Sequence, residues 1–326
     1  MKKLYLVLIV LLFCAAANAE QTATLVHNGS PKVFYGTDAF RTACDSAVSG
    51  DVITLSSGRF SANYNIRKNV TVRGCGWKGA GKTEIYERIS VRIPTADTVS
   101  HLCLEGIKFN AINIDDTLLH NPSFAKCWIG TLTLYNVFNG TISNCHIDNV
   151  SRYYGDKRYQ LTFVNCIVNS SDVPNLSFIN CIVGGISTNY GNVYINCIMT
   201  SDYNDLNQES TAINCVYFGG HNNFFSQCFG SNNSVVTSKD ILFKNYFRMD
   251  GSGFRFDDGT TDDAFELRPE IQAQYLGNDG TQIGIYGGLR PFTSELSYPI
   301  IIDLQVAPTS SADGKLDVNI EVTNAE

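Results

Sequence analysis

One short segment, residues 152–159, concentrates side chains that could bind a sugar. Tyrosine rings stack on the apolar faces of sugar rings, and guanidinium and ammonium groups bind carboxylates. The matching corners of later repeats carry further tyrosines, and stacked coils would bring them into one lateral strip. A solvated loop edge is the alternative interpretation. The predicted glycan-binding residues are Tyr153, Tyr154, Tyr159, Tyr190 and Tyr203.

Two further patterns suggest ligand chemistry but lack its context. Residues 76–83 match the G-x-x-x-x-G-K-[ST] pattern of a phosphate-binding loop, yet a strand-like run follows where that loop needs a helix. An acidic cluster could hold calcium, although it lacks the spacing of an EF-hand loop and a solvated turn is favoured. We therefore expect no cofactor, with calcium as the one candidate and with Asp257, Asp258, Asp262 and Asp263 as its carboxylates.

A tripeptide that ends in Asn-Cys recurs through the middle of the chain. Successive cysteines are 13 to 21 residues apart, and each unit holds short apolar runs broken by turn residues. A chain that returns to the same angular position on every coil stacks like residues into columns and places loops of variable length at one corner. The repeat therefore predicts a parallel β-helix. Its copies end at Cys145, Cys166, Cys181, Cys197 and Cys215, with degenerate copies ending at Cys127 and Cys228.

The repeated residue types suit the corner of such a coil. Asn tolerates the left-handed backbone of a sharp bend, and stacked Asn side chains can hydrogen-bond from coil to coil. Cysteine is small and buries well. Disulfides are the alternative in a secreted chain, but parallel side chains in one column give poor disulfide torsion. We favour free, buried thiols, and we predict that Phe178, in an apolar column, faces the interior.

Both ends of a β-stack need covering, because open strand edges invite pairing. Residues 37–48 have apolar side chains at helical spacing and predict a short capping helix, which a first strand follows at 52–55. At the other end, residues 279–288 are predicted to close the repeat. An alternating run at 316–322 predicts a strand-like tail. The expected organisation is therefore a β-helix with its N-terminal cap over 20–290 and a C-terminal closing segment over 291–326.

A family resemblance rests on three features of the sequence. They are the spaced F-x-x-A and G-D-x-I-x-L pattern between Phe40 and Leu55, the Asn-Cys repeats, and the D-G-T-x-I-G-I-Y-G-G run at 279–288. They resemble secreted right-handed parallel β-helix proteins of the pectin-lyase-like superfamily and are similar to uncharacterised Bacteroidetes members. The resemblance implies an all-β, right-handed solenoid. It leaves the activity open, because this scaffold carries lyases, hydrolases and adhesins.

An enzymatic site would draw on few residues. By the resemblance, a polysaccharide lyase would use a basic residue as proton abstractor, and a glycoside hydrolase would use two aspartates as acid and base. No group of acidic residues along neighbouring strands accompanies the basic candidates, so the sequence leans against an enzyme. The catalytic candidates are Arg152, Lys157 and Arg158 for the lyase, and Asp202 and Asp205 for the hydrolase.

Residues 1–19 predict a secretory signal peptide. Lys2 and Lys3 precede a short apolar run, and Ala17-Asn18-Ala19 forms a small-residue cleavage site. That run is too short to span a bilayer comfortably, and no later stretch could cross one. The formal net charge of −7 becomes −9 without the two lysines, so neither nucleic acid nor an anionic membrane is an expected partner.

These patterns predict an exported protein, periplasmic, at the cell surface or extracellular, that contacts polysaccharide or the cell envelope. A polysaccharide lyase or glycoside hydrolase is the enzymatic alternative, and a structural or adhesive surface protein is the third. No pattern predicts the oligomeric state.

Overall fold

Two long sheets of short parallel strands, stacked along one axis, form a β-solenoid, which confirms the predicted parallel β-helix. No helix in the described part of the chain is long and apolar enough to cross a membrane. The computed structural model of the chain describes residues 21–79, 81–94, 101–115, 118–153, 159–186, 190–200, 209–218, 225, 228–236, 267, 272–306 and 318–323.

The first sheet, sheet A, has thirteen strands in the described part of the chain. Its first strand pairs antiparallel with the second and third, and the later strands pair in parallel. Sheet A consists of β1 (Thr22–His27), β2 (Ser30–Tyr35), β3 (Val52–Leu55), β6 (Thr71–Arg73), β8 (Cys103–Glu105), β10 (Leu118–His120), β11 (Ser123–Ala125), β13 (Asn136–Ser143), β15 (Tyr159–Val164), β17 (Ser177–Ile179), β19 (Val193–Ile195), β21 (Thr211–Ile213) and β23 (Phe229–Ser231).

Among the described residues the second sheet, sheet B, has eleven strands, and each described coil contributes to both sheets. Sheet B consists of β4 (Gly58–Phe60), β5 (Tyr64–Ile66), β7 (Thr83–Val91), β9 (Lys108–Ile114), β12 (Trp128–Leu134), β14 (His146–Arg152), β16 (Ile167–Ser171), β18 (Ile182–Ile186), β20 (Ile198–Met199), β22 (Val216–Phe218) and β24 (Ser234–Val236).

The N-terminal end carries the predicted capping helix, α1 (Ala39–Ser46), whose buried residues include Phe40 and Ala43. The predicted first strand at 52–55 is β3. Near the C-terminus, β25 (Ile300–Val306) and β26 (Val318–Thr323) form a separate antiparallel pair, so the predicted strand-like tail is present as β26.

The repeated Asn-Cys pair makes the corner that leads from sheet A to sheet B. Each Asn adopts a φ between 51° and 58°, as the bend requires, and Lys126 does the same in the first degenerate copy. The cysteines that follow are buried and free, which confirms the predicted column of thiols. The corner Asn residues are Asn144, Asn165, Asn180, Asn196 and Asn214.

Aromatic side chains stack directly between coils in the interior. The rings of Phe163 and Phe178 have centroids 5.0 Å apart, and those of Phe178 and Tyr194 are 5.1 Å apart. Phe178 has no exposed surface, which confirms that it faces the interior.

The register of the last described coil differs from the prediction. Ser231 of β23 pairs with Ile213 of β21, so Asn232 and Asn233 occupy the corner, and Asn232 has a φ of 59°. Cys228 instead precedes β23. The predicted repeat copy ending at Cys228 is therefore wrong, because Asn adopts the left-handed corner conformation more readily than the Gln before that cysteine.

The segment predicted to close the stack lies beside the coils instead. We call residues 272–298 the corner strap, since they run along the Asn corner from coil to coil. The Nδ2 of Asn214 donates to the carbonyl oxygen of Leu276 at 2.8 Å. Further along, the Nδ2 of Asn165 donates to the carbonyls of Ile285 and Gly287 at 2.8 and 2.7 Å.

The corner strap continues to the early coils. The backbone N–H of Thr293 donates to Asn144 Oδ1 at 3.1 Å, and the Tyr298 hydroxyl donates to the carbonyl of Gly74. One bond of the predicted kind is present, since Asn214 Nδ2 donates to Asn196 Oδ1. The prediction did not include the corner strap, whose backbone carbonyls accept from Asn165 and Asn214.

Candidate functional site

The two kinds of connection in the coil have different lengths. From β13 onward, two residues join each sheet A strand to the next sheet B strand, whereas five to eleven residues make the return to sheet A. Because the strands of each sheet stack in register, the described ends of these connections lie along one side of the solenoid. We call this side the return edge, and it is where the predicted lateral strip would lie.

The described residues place part of the predicted strip on the return edge. Arg152 ends β14, and Tyr153 follows it with 37% of its surface exposed. Tyr190, 52% exposed, precedes β19 two coils further on. The other predicted glycan-binding, catalytic and calcium residues lie outside the described part of the chain: Tyr154, Tyr203, Lys157, Arg158, Asp202, Asp205, Asp257, Asp258, Asp262 and Asp263.

Tyr159 corrects the prediction. It begins β15, is 4% exposed and belongs to the hydrophobic core, because its side chain alternates inward with Leu161 and Phe163. A sugar ring cannot stack on it in this position. The phosphate-loop match at 76–83 also runs into a strand, since β7 begins at Thr83, as the sequence indicated.

Four residues from consecutive coils meet at the return edge. Arg92, Asp115, Tyr135 and Tyr153 directly follow β7, β9, β12 and β14, and we call them the tyrosine edge. The Tyr153 hydroxyl donates to Asp115 Oδ1 at 2.7 Å, and Arg92 Nη2 lies 3.4 Å from Asp115 Oδ2. The rings of Tyr135 and Tyr153 meet edge to face, with centroids 6.0 Å apart.

The carboxylate of the tyrosine edge is held in its charged form. Burial opposes ionisation of Asp115, but hydrogen bonds from Tyr153 and Ser90 and the charge of Arg92 outweigh it, so the pKa of Asp115 is lowered. The same hydrogen bond, together with partial burial, raises the pKa of Tyr153. The pair therefore keeps the Tyr153 ring in one orientation at neutral pH.

A polar surface extends from the tyrosine edge across the outer face of sheet B. Ser151 Oγ donates to Thr133 Oγ1 at 3.1 Å, and Ser170 Oγ donates to Asn149 Oδ1 at 2.8 Å. Inward-facing residues such as Val150 alternate with these polar ones, as expected for a sheet with one buried face. Hydroxyl and amide groups are thus held in rows that could bind the hydroxyls of a sugar chain.

The far side of this face is closed by an aromatic cluster. The ring of Trp128 stacks on that of His146 at 4.7 Å, and Trp77 meets Trp128 edge to face at 5.3 Å. Asp148 accepts from Trp128 Nε1 at 3.1 Å and lies 3.2 Å from His146 Nε2. Burial lowers the pKa of His146 despite Asp148, so the imidazole is neutral at pH 7. Apolar residues of the corner strap pack against this cluster, so these rings form a wall rather than an open platform.

Three members of the tyrosine edge, Arg92, Asp115 and Tyr135, were missed by sequence reasoning. Successive members of the tyrosine edge are 18 to 23 residues apart in the sequence, and only the pairing of neighbouring coils brings them together. A signal was present in the repeat: Tyr135 stands eight residues after Cys127, and Tyr153 eight residues after Cys145. Counting from the cysteine would have placed both tyrosines in one column.

Comparison of the chain with protein-family models, with curated proteins and with solved structures finds no match. The confirmed part of the predicted resemblance is the parallel β-solenoid itself. The site must therefore be interpreted from its own geometry.

Proposed function

We propose that this chain is an exported β-solenoid protein that binds polysaccharide, free or in the cell envelope, through the tyrosine edge. The observation that carries the proposal is the pair of tyrosine rings beside the fixed Asp115–Arg92 pair. Aromatic rings supply large rigid contact areas, and a guanidinium that is half exposed can donate to sugar oxygens.

The surroundings support a long ligand rather than a small one. The polar rows of the outer face lie on a nearly continuous sheet, and neighbouring coils repeat them about 4.8 Å apart. Such a surface offers many similar hydrogen-bonding groups in sequence, which suits a chain of repeated sugar units. The exposed Tyr190 extends the surface along the return edge.

The test is a glycan-array screen of the purified chain, followed by calorimetric titration of the best ligands. Tyr153→Ala and Tyr135→Ala should each weaken binding about tenfold or more, as for aromatic anchors of an interface. Tyr35→Ala is the matched control, because Tyr35 is also exposed but lies on β2 at the N-terminal end of the stack. Failure of the chain to bind any glycan would contradict the proposal.

The same ligands distinguish binding from catalysis. New reducing ends would identify a hydrolase, and unsaturated products that absorb in the ultraviolet would identify a lyase. Of the predicted catalytic residues, Arg152 lies beside the tyrosine edge, so Arg152→Ala is the first variant to assay if either product forms. Binding without product supports the non-catalytic proposal.

A further inference from the structure

Six consecutive coils place a cysteine at the Asn corner, and we call Cys127, Cys145, Cys166, Cys181, Cys197 and Cys215 the cysteine row. In this row a cysteine sulfur, and not a backbone carbonyl oxygen, accepts the hydrogen bond from a backbone N–H group. The backbone N–H groups of Cys127, Cys145 and Cys166 donate to the Sγ of the next cysteine in the row at 3.3, 3.5 and 3.4 Å. The flanking amides of Asn144 and His146 bond to carbonyls of adjacent coils instead.

Five of the six row thiols also face a carbonyl oxygen of the preceding coil, and Cys215 faces that of Ile213 in its own coil. The Sγ of Cys166 lies 3.3 Å from the carbonyl oxygen of Ile142, and the Sγ of Cys181 lies 3.4 Å from that of Phe163. In each case the acceptor stands three residues before the previous cysteine of the row. A protonated thiol is both donor and acceptor, so it can serve the two backbone groups together.

The last described coil shows what can replace a thiol in this position. Asn233 occupies it, and its Oδ1 accepts from the backbone N–H of Cys215 at 2.9 Å. Its Nδ2 donates to the carbonyl of Ala212 at 2.8 Å. The amide thus makes both bonds that the thiols make, whereas the coil before Cys127 has the buried Ile107 in this position and uses no polar side chain.

We propose that the cysteine row is a redox-sensitive folding device: the stack forms only while these thiols are reduced, and the finished stack then protects them from oxidation. Joining two thiols as a disulfide releases two protons and two electrons, which oxidised glutathione accepts to become two glutathione thiols. The bridge removes two S–H donors from the buried carbonyls that they face. It also forces a torsion that parallel side chains in one column do not provide.

Protection in the folded state follows from burial. All six residues of the row are fully or almost fully buried, and disulfide exchange requires a thiolate that can reach its oxidant. Burial raises the pKa of Cys145, Cys181 and Cys215, whereas hydrogen bonds from neighbouring thiols outweigh burial and lower the pKa of Cys166 and Cys197, so protection of the row rests on the inaccessibility of the sulfur atoms. In the unfolded chain the same cysteines are accessible and can pair in many ways.

The experiment compares refolding with challenge of the folded protein. The reduced, denatured chain is diluted into buffer containing either dithiothreitol or oxidised glutathione, and the folded fraction is measured by circular dichroism and cooperative melting. We expect about tenfold less folded protein with the oxidant, because parallel side chains in one column do not provide the torsion that a disulfide needs. Folded protein incubated with the same oxidant should keep its melting temperature and its six row thiols, counted by alkylation and mass spectrometry.

A control variant assigns the effect to the row. Replacing Cys14, Cys44, Cys75, Cys103 and Cys228 by Ser leaves the cysteine row as the sole source of disulfides. Equal refolding of this variant in both buffers would overturn the proposal, as would oxidation of row thiols in the folded protein as fast as in the denatured one. If the variant does not fold with reductant, the disulfides of misfolded wild-type chain are mapped. Bridges within the row support the proposal, and their absence overturns it.

Discussion

The Asn corner and the return edge connect the same two sheets but follow opposite rules. At the Asn corner, every described connection from β13 onward has two residues, a left-handed first residue and a second one that is buried in all but the last connection, where Asn233 is half-buried. At the return edge, the connections vary in length and their described tyrosines, Tyr153 and Tyr190, are exposed. One corner therefore sets the stacking of the coils, and the other is free to vary.

The difference explains where a ligand site can develop. Changing one residue at the Asn corner affects the backbone pairing of adjacent coils and the corner strap that lies on it. The returns vary in length from coil to coil, and connections of this kind are where binding residues usually occur. The tyrosine edge fits this division, because its members come from four separate strands that the rigid corner keeps in register.

Replacing Phe178 by Ala should break the interior on which both corners depend. The ring stacks between Phe163 and Tyr194 and is wholly buried, so its loss leaves a cavity and should lower the free energy of unfolding by about 3–5 kcal/mol. Tyr190→Ala is the control, since that exposed ring should change stability by less than about 0.5 kcal/mol. Denaturant unfolding followed by circular dichroism measures both. Equal stability of the two variants would contradict the assigned interior.

Replacing Asn165 separates the two tasks of the Asn corner. Asn165→Ala should lower the free energy of unfolding by about 3 kcal/mol, from the left-handed φ of 51° and from two carbonyls of the corner strap left unpaired. Asn165→Gly keeps the conformation and loses only the strap bonds, so it should lose about 1–2 kcal/mol less. Equal unfolding free energies of the two variants in denaturant would show that backbone strain does not contribute to the loss of stability in Asn165→Ala.

The Asn corner could be predicted from the sequence because its signal is local. An Asn-Cys pair between apolar residues specifies a bend, a buried side chain and a repeat, and the left-handed asparagines and free thiols follow from that. The prediction failed at Cys228, where a cysteine stood without the Asn that the bend requires. At that position, the presence of a cysteine did not predict the corner, because the corner depends on a residue that adopts the left-handed conformation.

The return edge was harder to predict because its contacts depend on which coil lies next to which. Tyr159 sits in the same tyrosine-rich segment as Tyr153, yet strand alternation turns it inward. Asp115 lies 38 residues before its partner Tyr153, and no local pattern links them. The corner strap was missed for the same reason: Ile285 and Gly287 bind an Asn 120 and 122 residues earlier in the chain.

A smaller effect is expected from Asp115→Asn, which removes the charge of the tyrosine edge and keeps its shape. At pH 7 the variant should lose about 1 kcal/mol of unfolding free energy, the contribution of one hydrogen bond to a partly buried carboxylate. The folded-state pKa of Asp115 lies below its ordinary value of about 3.9, so its stabilisation is fully present above about pH 4 and is lost as the pH falls through the folded pKa. The stability difference between wild type and variant should therefore shrink below about pH 4.

Denaturant unfolding of both proteins from pH 7 to pH 3 measures this difference, and Tyr153→Phe completes the comparison. That variant loses the hydroxyl that donates to Asp115 Oδ1 but keeps the ring, so its stability difference should shrink over the same acid range. Its affinity for a glycan should fall less than that of Tyr153→Ala, because stacking uses the ring face. Stability curves of wild type and Asp115→Asn that stay parallel down to pH 3 would show that Asp115 is not held charged by its neighbours, and the return edge would then lack its ordered carboxylate.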